Sequence, residues 1–480
     1  MSLADLLSGA AAAALPASAE GWPEPLLAGL PRPAFTLGEA DGRERAAYRR
    51  LRRATFVDEQ GLFSAAGDAD AVDDDPRAVV LVARAPDGVV LGGVRLAPVT
   101  EPDLGWWAGS RLAVRDDART GAGRGAGVGA ALVRAACARA ESEGVLRFEA
   151  HVQTRHLPLF TRLGWDHLAD TQLHDRPHAW VRWPNHRFAT QAAVKAPLGA
   201  LLAGLSLGGG GWVGDDGAPV PGSDLVAACD AIVPSLVERE PRWAGWCGVL
   251  VNVNDLAAMG ATPVGLLDAV GARSAAAAAE VIAGLRDASQ AYGVPVLGGH
   301  TQLDVPAALS VTALGRAEHP VPAGGGRAGD RVALTVDLHG RWRPGHTGRQ
   351  WDSTSSRRGE DLRRLLGTLV RTPSAAAKDV SMAGLVGTLG MLAEASGCAA
   401  ELEVALVPRP AAARVGDWLA CFPGFGLLTA DRPGTPLPDG GPATSAGCGR
   451  LSAGAGVTLR WPDGEHTPGV GGAVTGLGVA

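Results

Sequence analysis

The segment Val251 to Pro263, VNVNDLAAMGATP, constrains this chain more than any other. An apolar run leads into it from Trp243. Asn252, Asp255 and Met259 then recur at offsets of three and four, which predicts one helical face carrying an amide, a carboxylate and a thioether. Packing alone would place Leu or Ala at positions 252 and 255, because a buried carboxylate without a partner is strongly destabilising. The fold must therefore bring something to that face. The stretches that punctuate the rest of the chain are candidates: GGGGWVGDDG at 208–217 with Asp215 and Asp216, Cys229-Asp230, Gly298-Gly299-His300-Thr301, and Lys378-Asp379-Val380-Ser381. Closely spaced acids without basic neighbours suit a hard divalent cation such as Mg²⁺. A polar Asp/Gly turn is the alternative reading of 214–217 taken by itself.

A chain of 480 residues, 46% hydrophobic and 20% charged, has the composition of a soluble globular protein with several cores. Its net charge of -6 argues against nucleic acid and anionic membrane as partners and favours small molecules. The six cysteines form no CxxC pair and no cluster at zinc spacing, so reduced thiols in a cytoplasmic protein are expected. The N-terminus, MSLADLLSGAAAAALPASAE, ends like a signal peptide but has no Lys or Arg and carries Asp5, so a lead-in helix or disordered segment is the expectation. Lysine occurs only at positions 195 and 378, against an arginine-rich background.

In the first 190 residues the patterns predict a helix over 43–56, strands over 78–84 and 89–97 around Asp87-Gly88, a strand at 110–114, a helix over 128–143, a strand at 145–152 and a short helix near 157–163. Arg124 to Gly129, RGAGVG, falls between a strand and a helix. There backbone amides and the helix N-terminus can cradle phosphate, although such a loop can also be a plain flexible turn. Glu149 and His151 alternate on one strand face and could take a proton from an amine; an exposed acid and a strand-end histidine are the plainer reading. The histidines between 166 and 200 lack metal-ligand spacing and read as linker and surface. Later, 342–358 reads as an exposed Arg/Gly/Ser loop, 381–396 as a helix of close-packed small residues, and the tail from 433 carries no signal.

The GDD segment, the VNVNDLAAMGATP helix, the GGHT turn and the KDVSMAGL helix start resemble, in that order, the superfamily of aminoimidazole ribonucleotide (AIR) synthetase, which includes thiamine-monophosphate kinase and selenophosphate synthetase. WAGWCGVLVNVNDLAAMGATP with GVPVLGGHTQ is similar to an AIR-synthetase-like family whose genes accompany nitrilase-type nitrogen-scavenging clusters. RGAGVG together with HVQTRHLPLFTRLGW at 151–165 resembles the GNAT acyltransferase fold, and RRATFVDEQGLF at 52–63 also resembles acyl-homoserine-lactone synthases. Two departures stand out. Phe160 occupies the place of a tyrosine that in GNAT enzymes protonates the leaving thiolate, and Gly424 stands where the AIR-synthetase FPSFG segment has serine.

The resemblance implies an α/β and α+β architecture: a lead-in (1–34), a GNAT fold (35–188), and a two-subdomain AIR synthetase-like fold with an ATP-binding, dimerising N-terminal part (189–323) and a C-terminal part (324–480). It implies that acetyl-CoA is held by the backbones of Leu112 and Val114, by Arg124, and by Gly125, Gly127 and Gly129, with Glu149 or His151 as base. In the other half it implies Mg²⁺ on Asp215, Asp216, Asp230, Asp255 and Asp379, and ATP near Asn252, Gly298, Gly299 and Lys378. His300, in place of an aspartate, would meet substrate or phosphate. Lys195 would assist the departing phosphoryl group, or else be a solvated linker lysine. The expected protein is a homodimer joining an acyltransferase to an ATP-dependent enzyme acting on a small nitrogen compound; the alternative is a nucleotide-binding scaffold whose acyltransferase half has lost its chemistry.

Overall fold

A computed structural model describes residues 35–119 and 127–480. Two compact units emerge: Met1–Asp70 with Val79–Arg95 and Arg111–Ala135, and Ala71–Ala78 with Leu96–Ser110 and Ala136–Ala480.

The first unit holds β1 (Thr36–Glu39), antiparallel to β2 (Val79–Arg84), and α1 (Gly42–Arg53). Asp41 caps α1 through the Glu44 amide while the Glu44 side chain returns to the Asp41 amide, a reciprocal pair that fixes the helix start. The helix continues as a π-helical turn, Ala54–Glu59, rather than as α-helix to 56. Behind it lies a buried ion lattice. Arg52 and Arg111 converge on Asp68, and Arg95 and Arg111 on Asp70. Tyr48, fully buried, donates its hydroxyl to the Arg111 carbonyl at 2.6 Å. Arg111 has a φ of 56°, a left-handed conformation that costs a non-glycine residue energy and here is held by that hydrogen bond and by the lattice. Strands β3 (Val90–Pro98) and β4 (Trp106–Val114) and helix α2 (Val128–Ser142) follow along the chain.

In the second unit β5 (Arg147–Gln153) runs parallel to β4 over only four residue pairs, Trp106–Gly109 against Arg147–Ala150. Helix α3 (Leu157–Arg162) and the antiparallel hairpin β6 (Asp166–Leu173) and β7 (Arg176–Trp183) follow, with β7 pairing β5. The stretch read as linker is therefore largely structured. It makes the hairpin, then α4 (Arg187–Ala193) and α5 (Leu198–Leu201), and Phe188 and Ala192 are buried in the same core as Leu389 and Trp418. The expected boundary at 188 thus falls inside this unit.

A five-stranded sheet comes next, in the order β11 (Val296–Leu303), β10 (Thr262–Ala272), β12 (Ala308–Arg316), β9 (Leu225–Ala231), β8 (Ala218–Pro219). Two long helices accompany it, α7 (Pro241–Ala258) and α8 (Ala275–Tyr292), after the short α6 (Pro234–Arg239). They touch backbone to backbone: a Cβ on Gly245 would lie 2.2 Å from the Val281 carbonyl, and one on Gly284 1.9 Å from that of Arg242. Only glycine permits that approach. Alternate strand residues such as Val226, Val270, Leu309 and Val311 are buried with α7 in one core. The Gly298-Gly299-His300-Thr301 segment, expected as a turn, lies within edge strand β11.

The C-terminal region builds a seven-stranded sheet, β16 (Ala376–Asp379), β18 (Gly426–Asp431), β13 (Arg331–Val336), β19 (Thr444–Ser452), β17 (Ala399–Glu403), β20 (Val457–Arg460), β21 (His466–Val470). Helices α9 (Gly359–Leu366), α10 (Thr368–Arg371), α11 (Gly384–Ala395) and α12 (Val415–Ala420) complete it, beside a two-stranded ribbon, β14 (Arg341–Trp342) with β15 (Trp351–Asp352). The exposed loop expected at 342–358 is instead anchored. Trp351, Ser353 and Thr354 are buried, Trp351 stands edge-on to Trp342 and Trp418, and Glu240 binds both Arg343 and His346. The tail from 433 supplies three strands of the sheet.

Candidate functional site

Helix α7 is apolar around most of its circumference because it is covered on several sides, so the polar positions on it mark where other chain segments converge. It ends at Gly260, whose φ of 64° lets the Ala261 amide reach back to the Leu256 carbonyl. Met259 packs where a Cβ on Gly217 would come within 2.8 Å of its sulfur, so the foot of the helix supports the GDDG loop.

Asp255 meets two acids from distant segments. Ligand oxygens of Asp216, Asp255 and Asp379 lie within 4.8 Å of one another. Lys378 pairs with Asp216 and donates to the Gly214 carbonyl at 3.0 Å, and the Asp379 amide donates to Asp216 at 2.8 Å. Asp215 faces the other way, accepting from its neighbour's amide and from that of Ala323. Burial, reinforced by the neighbouring carboxylates, pushes Asp255 and Asp379 well above the usual carboxylate range. Burial and the adjacent Asp216 raise Asp215 to about 7. Burial alone would lower the Lys378 ammonium, but Asp216 and Asp215 outweigh it and keep the lysine charged. Asp230 sits at the rim, its carboxyl also raised by partial desolvation. The Lys195 charge moderates the rise at both Asp230 and Asp379 through space, with no direct bond to either.

These residues fit a divalent cation. Asp379 Oδ2 is buried and has no hydrogen-bond partner, and two buried acids that repel each other's charge are relieved by a cation between them. Lys378 is buried and committed to Asp216, so its charge already offsets part of the cluster.

Other expected residues are placed differently. Asn252 is buried with both ends of its amide engaged, donating to the Gly248 carbonyl at 2.8 Å and accepting from the Asp230 amide at 3.1 Å, so it ties β9 to α7. Gly298, Gly299 and His300 are exposed on edge strand β11, separated from β9 by two strands. Gly424 has a φ of 80°, and a Cβ there would lie 2.4 Å from Ser353 Oγ. Ser353 accepts from the Phe425 amide and donates to the Pro423 carbonyl, so its hydroxyl occupies the space of the side chain that glycine lacks. Nothing in the local sequence announced Ser353, because its partner segment lies about seventy residues away.

In the N-terminal part of the chain Arg124 and Gly125 lie outside the described residues. Gly127 has a φ of 85° and no described residue near its Cβ position, and Gly129 is the second residue of α2. The Val114 carbonyl accepts from Arg119, while neither Leu112 nor Val114 is buried. Glu149 is buried, not exposed. Arg147 and Arg182 donate to one of its oxygens at 2.8 and 2.6 Å, and Trp106 to the other at 3.2 Å, so both oxygens are engaged. His151, two residues on, is exposed and lies nearly parallel to the Trp180 ring. Partial shielding holds its pKa below the usual histidine value. Phe160 is buried against the edge of Trp165.

Comparison with known proteins finds two families along the chain. Residues 45–165 match the acetyltransferase (GNAT) family, and 214–317 match the AIR synthase related protein, N-terminal domain, family. The chain is 38% identical over 228 residues to uncharacterized protein sll0787 of Synechocystis, covering 46% of this chain and 70% of that one. It is 31% identical to the selenide, water dikinase of Pseudomonas aeruginosa (48% of this chain, 72% of the relative). It is 32% identical to a thiamine-monophosphate kinase of Methanospirillum hungatei (41% and 75%).

Proposed function

Because the chain belongs to the AIR synthase-related family and carries a GNAT acetyltransferase domain ahead of that part, we propose that it joins an acetyl-CoA-dependent N-acyltransferase to an ATP- and Mg²⁺-dependent enzyme. The second would phosphorylate or activate an oxygen of a small nitrogen-containing metabolite. The observation that carries the phosphoryl-transfer reading is the convergence of Asp216, Asp255 and Asp379 from three segments onto one point. The kinase names of two relatives support it.

In this reading Asp216, Asp255 and Asp379 hold the metal, which when bound neutralises phosphate charge. Lys378 fixes Asp216, and Asn252 fixes the backbone of Asp230. Lys195 donates to the phosphoryl group as its bond to the nucleotide breaks, so its effect falls on turnover more than on affinity. The acceptor's oxygen takes the phosphoryl group, its proton passes to an acid of the cluster, and ADP leaves. For acyl transfer, His151 is better placed than Glu149 to take the acceptor's proton, because its ring is exposed and neutral at ordinary pH. A second reading, in which the acyltransferase half binds without catalysing, is favoured by Phe160, which has no hydroxyl to give. Release of free thiol from acetyl-CoA with a panel of amines separates the two.

Titration calorimetry with Mg-ATP tests the main reading. Wild type should bind. Asp255→Asn, which keeps size and removes charge, should lose most of the Mg²⁺-dependent part of that affinity. Equal affinity for both proteins would make Asp255 a structural helix residue and remove the central support.

A further inference from the structure

Lys195 and Asp216 are joined by a stretch containing Gly204, Gly208, Gly209, Gly211 and Gly214, all with positive φ. Glycine in such conformations leaves a chain little local preference, so something outside the stretch must hold its two ends. One segment touches both. The Gly199 amide donates to the Thr475 carbonyl at 2.9 Å, and a Cβ on Gly199 would lie 2.0 Å from the Gly476 carbonyl oxygen. At the other end, a Cβ on Gly214 would meet Leu477 Cδ1 at 3.4 Å. The same segment ends near Ala323, whose amide holds Asp215: a Cβ on Gly324 would stand 2.7 Å from the Ala480 side chain.

The segment is itself fixed by one carboxylate. Glu394 on α11 accepts from the amides of Val474 (2.7 Å), Thr475 (2.8 Å) and Gly478 (3.2 Å) and from the Thr475 hydroxyl (3.1 Å). Thr475 Oγ1 in turn accepts from the Leu477 amide at 3.2 Å, closing the turn on itself. Charge-assisted bonds of this kind are the stronger class, and four on one side chain make a rigid knot. Helix α11 follows closely on Lys378 and Asp379. The segment 474–478 therefore touches the chain at both ends of the glycine stretch and is tied to the helix that follows Lys378 and Asp379 in sequence.

We infer that residues 474–478, knotted by Glu394, are a positioning strap that sets Lys195 and the Gly214-Asp215-Asp216 loop in register with Asp379. The inference rests on the phosphoryl-transfer reading for its consequence but not for its geometry. Neither Glu394 nor Thr475 reaches the reacting atoms; both act through Gly199 and Gly214.

The test uses the full-length protein and two readouts. Amide hydrogen exchange is measured over residues 195–217 in wild type, Thr475→Val, Thr475→Ser and Gly199→Ala, and ADP release from Mg-ATP is followed in the same four. In Thr475→Val and Gly199→Ala, exchange over 195–217 should quicken about tenfold or more while α7 and β13 stay protected. Turnover should fall about tenfold, with KM for ATP changed less than about threefold. Thr475→Ser, which keeps the hydroxyl, should restore both. Unaltered exchange over 195–217 in both disruptive variants would overturn the strap. Quickened exchange with unaltered turnover would overturn its positioning role. A wild type that binds no Mg-ATP would sink the phosphoryl-transfer reading instead, with the exchange data still deciding the strap.

Discussion

Arg147 and Asp463, 316 residues apart in sequence, meet through two N–O contacts of 2.9 and 2.8 Å. The Arg147 side chain has no exposed surface, and its guanidinium lies 3.8 Å from the Trp106 ring centroid with the Trp461 ring also near. Its remaining partner is Glu149, which Arg182 shares and extends to Glu465. Removing one partner from a buried pair strands the other. Asp463→Ala should therefore lower stability by about 3 kcal/mol, the low end for such a loss, because Asp463 is partly exposed and Arg147 keeps Glu149. A urea midpoint that shifts with unchanged slope would register it; no shift would make the pair ornamental.

The two candidate bases on β5 should separate cleanly. His151→Ala is expected to reduce acyl-transfer kcat by about 10²-fold or more, the usual scale for a general base. Glu149→Gln, which disturbs Arg147 and Arg182, should act on thermal stability first. Because partial shielding keeps the His151 pKa low, the base stays neutral to lower pH than an ordinary histidine. Activity should therefore hold to lower pH than an ordinary histidine would allow and fall only in more acid solution. A pH–rate profile with its acid limb above the ordinary histidine value of about 6.5 would exclude His151.

Metal binding should be coupled to proton release. Asp255, Asp379 and Asp215 have raised pKa values in the folded protein, so between the unfolded carboxyl value of about 4 and the folded value, about 7 for Asp215, the native state holds more protons than the unfolded one. Stability from these groups is present in full below the lower value and is lost as pH rises through the upper one. In chelator the melting temperature should fall from pH 5 to pH 8. Added Mg²⁺ should reverse most of the fall at pH 8 and little of it at pH 5, and thermal melts at the two pH values decide it.

Gly424 and Ser353 compete for one volume. Gly424→Ser alone should cost about 1–3 kcal/mol, from its left-handed backbone and from the 2.4 Å approach to Ser353 Oγ. Adding Ser353→Gly should recover part of that loss. Strict additivity in the double-mutant cycle would show that the two positions do not share the space.

Exposed Leu267, Val296, Leu297 and Leu303 lie on β10 and β11 at the edge of the five-stranded sheet. An apolar edge with open backbone groups favours pairing with another copy. We expect wild type to sediment as a homodimer and Leu297→Glu as a monomer. A monomer at all concentrations for both would refute the dimer.

Local signals in the sequence were strong where chemistry and periodicity coincided. The VNVND helix, the GDD loop and the KD pair were legible because acids in apolar surroundings are costly without partners, and the structure brings Asp216, Asp255 and Asp379 together. What stayed hidden depended on long-range contact. Glu149 read as a free carboxylate because the arginines and indole that fill its oxygens come from β4, β5 and β7. The region after 166 read as linker because its polar face hid a hairpin, and 342–358 read as loop because Trp418, which packs on Trp351, and the Pro423 and Phe425 backbone that Ser353 binds lie far along the chain. Glu394 had one faint signal, a lone acid in the otherwise apolar helix GLVGTLGMLAEA.

Gly416 backs onto Gly144, where a Cβ would stand 2.2 Å from the Gly144 carbonyl. Together with Arg187–Asp417 and Arg147–Asp463, that contact makes the region after the acyltransferase strands a shared wall rather than a tether. Two enzymes strung on a flexible linker can be shuffled by recombination, each half drifting on its own. Here a crossover at 188 would hand one descendant the Arg147 guanidinium without its carboxylate and the other the Asp463 carboxylate without its guanidinium, so mutation at 144, 147, 416 or 463 is answerable to contacts on both sides of that point.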